Sequence, residues 1–150
     1  MTNRLLVTGG TGFIGSHLAE SARKAGREVR VLGMTDIYAD RRHAEYLESL
    51  VVEINSGSVT DCDICTSAMQ GVSEVYHLAV AMREGGMSDE GFTDINLKGT
   101  KYLLDAAVNN SVDRFIYCST IGIFGHRVPG ITTELSDFNP GNIYEQTKLE

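Results

Sequence analysis

The chain has 150 residues, with 13 basic and 20 acidic side chains and a formal charge of −7 at pH 7. With no basic patch to neutralise phosphates, nucleic acid is excluded as the expected partner. No apolar run approaches the roughly 20 residues a membrane helix needs, and the length suits one domain with a real core.

The order of elements follows from hydrophobic periodicity and turn residues. Residues 4–8 read as a central strand, apolar on both faces, and the N-terminus enters it by Leu5, leaving no signal peptide. Glycines 9, 12 and 15 then form G-x-x-G-x-x-G. Residues 14–25 read as a helix with Ile14, Leu18, Ala19, Ala22 and Ala25 on one stripe, closed by Gly26. Strands are expected at 28–32, 51–54, 74–79 and 114–119. Residues 36–50 are polar and partly helical. Asp61 caps a helix running to about Gln70 and ended by Gly71. Residues 80–91 read as a mobile loop, 92–109 as a long helix with Ile95, Leu103, Ala106 and Ala107 towards the core, and 121–141 as a long loop holding Pro129 and Pro140. A last helix begins near Asn142.

Strands alternating with helices predict an α/β fold, a doubly wound parallel sheet in the order 3-2-1-4-5. Ligands of such sheets bind at the carboxyl ends of the strands, at the switch between strands 1 and 4. Residues 9–15, 32–34, 57–59, 78–81, Ser119 and Thr120 all fall at those ends.

The glycine pattern supplies the first chemistry. A glycine at the turn accepts positive φ. One at the tip admits a pyrophosphate, and one in the first helical turn lets helix and strand approach. The helix N-terminus then faces the anion, which points to a dinucleotide. The second chemistry lies at the other end of the chain, where Tyr144 and Lys148 stand at i and i+4 on one helix face. An ammonium beside a phenol favours the phenolate, so Tyr144 becomes a candidate proton exchanger for a substrate hydroxyl or carbonyl. Ser119 and Thr120, directly after an apolar strand, are candidates to hydrogen-bond the same oxygen or, alternatively, to cap backbone groups. Cys62 and Cys65 form a C-x-x-C, expected to be two small residues early in a helix; no second Cys/His pair completes a metal site. With Cys118 they make no disulfide framework, and a reducing cytoplasm is the expected setting.

These motifs, with Tyr76-His77-Leu78-Ala79, Asn96-Leu97-Lys98-Gly99-Thr100, Tyr117-Cys118-Ser119-Thr120 and Phe124-Gly125, resemble the extended short-chain dehydrogenase/reductase superfamily, in particular its NAD-dependent epimerase/dehydratase family. The resemblance spans the chain in order. It implies a Rossmann fold with NAD or NADP as cofactor. It makes Tyr144 the acid/base, Lys148 the residue that tunes it and holds the nicotinamide ribose, and Thr120 the catalytic hydroxyl. Gly9, Gly12, Phe13, Ile14 and Gly15 would line the pyrophosphate. Leu78, Ala79 and Val80 would pass under the adenosine. Asn96 would lie near the cofactor, and Ser58 and Val59 on the adenine side.

The chain departs from that pattern in three places. Gly33 stands where family members that prefer NAD place an aspartate, and Asp36 comes three residues late. A 2′-phosphate is then no longer repelled, and Arg41 and Arg42 are candidate counter-charges. Ser58 replaces a usual aspartate. The resemblance further implies the remainder of the tyrosine helix, more strands and a C-terminal substrate domain after residue 150, so residues 1–150 are expected to be the NAD(P)-binding domain of a longer, homodimeric enzyme. Three functions stay open at this point. The first is epimerisation or dehydration of a nucleotide sugar. The second is net NADPH-dependent reduction of a ketone or aldehyde, as in dihydroflavonol and hydroxysteroid members. The third is a non-catalytic dinucleotide-binding module.

Overall fold

Alternate residues of the first strand feed two separate cores. In the computed structural model, which describes residues 4–36, 38–82, 86–125 and 130–150, β1 (Arg4–Thr8) is the middle strand of a parallel sheet. Leu6 packs on one face with Leu32, Met69, Val75 and Leu103. Leu5 and Val7 pack on the other with Ala19, Val29, Val31 and Leu47. A strand buried on both sides has this period-two division.

The other strands among the described residues are β2 (Glu28–Gly33), β3 (Glu53–Ser56), β4 (Val72–His77) and β5 (Arg114–Tyr117). Their order, β3-β2-β1-β4-β5, is the predicted one, and every pairing is parallel. Helices α1 (Phe13–Lys24) and α2 (Tyr38–Ser49) cover the face of Leu5 and Val7; α3 (Cys62–Ala68) covers the other. The predicted Asp61 cap is present, with its carboxylate accepting from the backbone N–H of Asp63 and Ile64. Gly26 follows α1 with φ of 85°, a left-handed closure that a glycine adopts without cost.

Several boundaries differ from expectation. Ile14 and Ala25 are exposed rather than on the core stripe of α1, because they stand on its first turn and at its C-cap. The third strand begins at Glu53, not at 51. Val51 has φ of 63° and closes α2, its N–H donating to the Glu48 carbonyl. β4 and β5 each end two residues earlier than expected. The predicted long helix starts at Asp89, capped by Ser88, and changes pitch. It runs as α4 (Asp89–Phe92), a π-helical turn over Thr93–Lys98, then α5 (Gly99–Asn109). The loop expected over 121–141 contains a 3-10 turn, Ile121–Phe124. Pro129 and residues 83–85 of the two expected loops lie outside the described residues. The last helix, α6 (Ile143–Leu149), is capped by Asn142, whose Oδ1 accepts from the Glu145 N–H. Among the described residues no helix is long and apolar enough to cross a membrane.

Candidate functional site

The glycine-rich turn joins β1 to α1 and rests on the ends of both neighbouring strands. Gly9 N–H donates to the Leu32 carbonyl at 2.7 Å, and Leu78 N–H to the Thr8 carbonyl at 3.1 Å. Gly9 has φ of 64°, and a Cβ there would sit 2.8 Å from the Ala79 nitrogen. A Cβ on Gly15 would fall on the Gly9 carbonyl oxygen. Both glycines are therefore demanded by backbone against backbone. Around Gly12 the space is open, with only the Gly9 oxygen at 3.2 Å from a built Cβ. Among the described residues no side chain caps the first turn of α1, which carries no acidic residue, while Phe13 and Ile14 are 75% and 65% exposed. Uncapped N–H groups, an empty approach and two exposed apolar side chains fit a bound pyrophosphate and the rest of a dinucleotide.

Leu78, Ala79 and Val80 run half-buried past this turn. Gly33 ends β2 beside it. Ser58 is on the next strand end, with its hydroxyl held 2.8 Å from that of Thr60. Val59 puts its side chain into the core cluster, under Gly99.

The second half of the site is assembled by a buried polar chain. Asn96, in the π-helical turn, is 2% exposed. Its Oδ1 accepts from Ala81 N–H at 2.7 Å, and its Nδ2 donates to Thr147 Oγ1 at 3.0 Å and to the Ala81 carbonyl at 3.3 Å. Its amide is thus committed to protein groups, holding the chain after β4 against α6. The Asn96 carbonyl accepts from Thr100 Oγ1. Having given its proton there, Thr100 accepts from His77 Nε2–H at 2.8 Å. The other imidazole nitrogen, Nδ1, then accepts from the Thr8 hydroxyl at 2.6 Å, and Thr8 Oγ1 in turn accepts from Ala79 N–H. The network assigns the tautomer of His77. Burial holds its pKa down to about 3, with Lys148 adding to the effect, so the ring is neutral.

Lys148 is buried with its Nζ 4.1 Å from the centroid of the Tyr117 ring, within reach of a cation–π attraction. Burial lowers its pKa, and among the described residues no carboxylate forms an ion pair with it. A buried ammonium lacking an anionic partner is costly and suits a site where ligand hydroxyls complete its shell. Tyr117 in turn lies 5.5 Å from the His77 ring. Burial pushes the Tyr117 phenol up, and Tyr144 adds to the shift.

Thr120 caps the 3-10 turn, accepting from the Gly122 N–H at 3.2 Å. Among the described residues its own hydroxyl proton has no acceptor. Gly122 packs on Glu145 of α6, whose Cγ would be 2.9 Å from a Cβ at 122. The turn carrying Thr120 and the helix carrying Tyr144 and Lys148 therefore abut. Ser119 lines a cleft of about 640 Å³ with Asn96, Thr147 and Lys148.

The C-x-x-C is split. Cys62 is exposed, while Cys65 is buried with its thiol towards the Val59 carbonyl. Among the described residues no group of His, Cys, Asp and Glu is arranged to hold a metal ion. Sequence reasoning quoted His77 but gave it no role, and passed over Thr147 and Thr11. The signal in the sequence was a histidine inside the apolar run 75–79.

The model of the family described as NAD dependent epimerase/dehydratase matches residues 5–150. The sterol demethylase protein B of Methylococcus capsulatus is 33% identical over 95% of this chain and 43% of its own length. A 3 beta-hydroxysteroid dehydrogenase/Delta 5→4-isomerase of Mycobacterium tuberculosis is 31% identical over 97% of this chain and 40% of its own. A dTDP-glucose 4,6-dehydratase from Streptomyces venezuelae, solved with NAD bound, superposes with a TM-score of 0.84 at 31% identity, over 97% of this chain and 48% of that one. The chain therefore spans less than half the length of these relatives.

Proposed function

The chain belongs to the NAD dependent epimerase/dehydratase family, and from that premise we propose that it is the coenzyme-binding part of an epimerase or dehydratase acting on a nucleotide-linked sugar, with NAD or NADP bound across the strand ends. The reading rests above all on buried Lys148, which forms no ion pair with a carboxylate among the described residues, lies over the Tyr117 ring and stands one turn after Tyr144 on α6. The uncapped N-terminus of α1, with Phe13 and Ile14, holds the pyrophosphate. Lys148 holds the hydroxyls of the nicotinamide ribose.

When bound, the nicotinamide supplies a hydride acceptor and donor. The residues of this chain handle the proton. Tyr144 Oη exchanges it with the substrate oxygen, Lys148 stabilises the phenolate left behind, and the Thr120 hydroxyl donates a hydrogen bond to that same oxygen. Asn96 and Thr147 fix the helix on which Tyr144 and Lys148 ride. The free cysteines accord with a reducing, cytoplasmic setting.

A net hydroxysteroid-type oxidoreduction is the second reading. The sterol-related names of two relatives at 33% and 31% identity favour it. Absorbance of the reduced nicotinamide separates the two, since an epimerase or dehydratase leaves it unchanged over many turnovers and a reductase consumes it.

The test is calorimetric titration of NAD+ into the chain, and turnover of nucleotide-linked sugars by a protein extended to the length of its relatives, each with Tyr144→Phe alongside. Binding is expected to survive the substitution and turnover to fall about a hundredfold or more. Turnover that survives Tyr144→Phe, or a chain that binds no dinucleotide, overturns the reading.

A further inference from the structure

We propose that Thr11 governs coenzyme choice by holding residue 33 to glycine, and that the chain in consequence accepts NAD and NADP with similar affinity. The inference rests on the dinucleotide reading above. Gly33 ends β2 in an extended strand, paired with Ser56 of β3, and its φ is not in the left-handed region. Its backbone would accept a side chain. The obstacle is Thr11: a Cβ at residue 33 would fall on the Thr11 hydroxyl, with Cγ2 at 3.0 Å and Cβ at 3.2 Å.

Thr11 has nowhere to go. It is 2% exposed, and a β-branched side chain has few rotamers. Its carbonyl accepts from His43 Nδ1–H of α2 at 2.6 Å. The next residue, Gly12, donates back to the Gly9 carbonyl at 3.1 Å. The turn that cradles the pyrophosphate thus also bars a carboxylate from the end of β2, where it would take the ribose hydroxyls and repel a 2′-phosphate.

What lies beyond Gly33 pulls in both directions. A cleft of about 520 Å³ is lined by Thr35, Ser56 and Arg41, and by Asp36, Glu45 and Glu48. The Thr35 and Ser56 hydroxyls are 2.6 Å apart, and Arg41 Nε donates to the Thr35 carbonyl. One guanidinium and two hydroxyls serve a phosphate; three carboxylates oppose it. Neither side of that balance amounts to a phosphate trap or to a dedicated ribose carboxylate, and weak discrimination follows.

The experiment compares the chain with Gly33→Ala, Gly33→Asp, Thr11→Ala and the double variants, by thermal unfolding and by calorimetric titration with NAD+ and NADP+. Gly33→Ala adds only the obstructed Cβ, and is expected to lower Tm by about 5 °C. Thr11→Ala, which removes the two nearest obstructing atoms, should restore most of it. The unaltered chain should bind the two dinucleotides within about tenfold of each other, and Thr11→Ala/Gly33→Asp should favour NAD+ by more than tenfold. Gly33→Ala as stable as the parent, or a strictly additive double variant, overturns the proposal. Binding of one dinucleotide more than tenfold above the other by the unaltered chain overturns it alone. Binding of neither removes the dinucleotide reading and this proposal together.

Discussion

Asn96 and Thr147 are joined across 3.0 Å by a hydrogen bond from Nδ2 to Oγ1, and this bond ties the π-helical turn to the helix that bears Tyr144 and Lys148. Thr147 Oγ1 passes its own proton to the Tyr144 carbonyl at 3.1 Å. The residue between the two motif positions thus anchors the helix to the sheet through Asn96. Thr147→Val keeps the shape and removes the acceptor, leaving one buried amide hydrogen of Asn96 unpaired. The expected cost is about 1–3 kcal/mol, read by chemical denaturation, with Thr147→Ser regaining most of it. Thr147→Val at full stability would show that the bond carries nothing.

The His77 imidazole gives the chain an acid sensitivity of known sign. The folded-state pKa is held to about 3 by burial, against about 6.5 in an unfolded chain. Lys148 and the Tyr117 ring face it, and Thr8 and Thr100 occupy its nitrogens. Between those pH values the unfolded state binds the extra proton, so the stabilisation is complete above about 6.5 and is lost as pH falls towards 3. At pH 4.5 the loss from this group alone is about 3 kcal/mol relative to neutral pH. Denaturation curves at both pH values, for the parent and for His77→Gln, isolate it: the parent should lose more by roughly that amount. Nitrogen NMR should find the proton on Nε2 and none on Nδ1; the opposite tautomer would break the hydrogen-bond assignment.

The strand order was legible because alternating strands and helices with right-handed crossovers leave few topologies, and the Asp61 cap and the Gly26 closure because each is decided within a few residues of sequence. An apolar run, an Asp before a helix and a glycine after one act locally. The candidate pair Tyr144/Lys148 was legible for the same reason, since i and i+4 share a face in any helix. What stayed hidden depends on partners far along the chain. Ile14 fits the core stripe of α1 by spacing, yet it stands on the first turn of the helix and is exposed. Val51 reads as a strand residue, yet it takes φ of 63° to end α2. Gly33 reads as a missing aspartate, and only its contact with Thr11, 22 positions earlier, shows that a side chain there has no room. The bonds of Asn96 to Ala81 and Thr147 span 15 and 51 positions, beyond any periodicity.

The two halves of the C-x-x-C should differ in reactivity. Burial raises the Cys65 thiol to about 11, with Asp61 adding to the effect, while Cys62 and Cys118 are exposed. The thiolate is the nucleophile, so at pH 8 iodoacetamide should label Cys62 and Cys118 of the folded chain and reach Cys65 only after denaturation. Intact mass then gives two adducts before unfolding and three after it. Three adducts at equal rates in the folded chain would contradict the burial of Cys65.

Lys148 should separate stability from ligand binding. Its ammonium is buried over the Tyr117 ring without an ion-pair partner among the described residues, and its pKa is lowered by that burial. Folding therefore carries a desolvation cost that the ring only partly offsets, since a cation–π contact contributes about 0.5–2 kcal/mol. Lys148→Met fills a similar volume and removes the charge. Replacing a buried charge by a well-packed apolar side chain is often neutral or stabilising, so Lys148→Met should unfold within about 1 kcal/mol of the parent or above it. A residue kept for packing would behave in the opposite way and lose several times that on substitution. If the ammonium is there for coenzyme hydroxyls, NAD+ affinity should fall about tenfold or more in the same variant, because hydrogen bonds from a charged donor are worth about 1.5–3 kcal/mol. Denaturant unfolding and calorimetry on one preparation decide between the two: lower stability with unchanged affinity would make Lys148 a structural residue and withdraw it from the site.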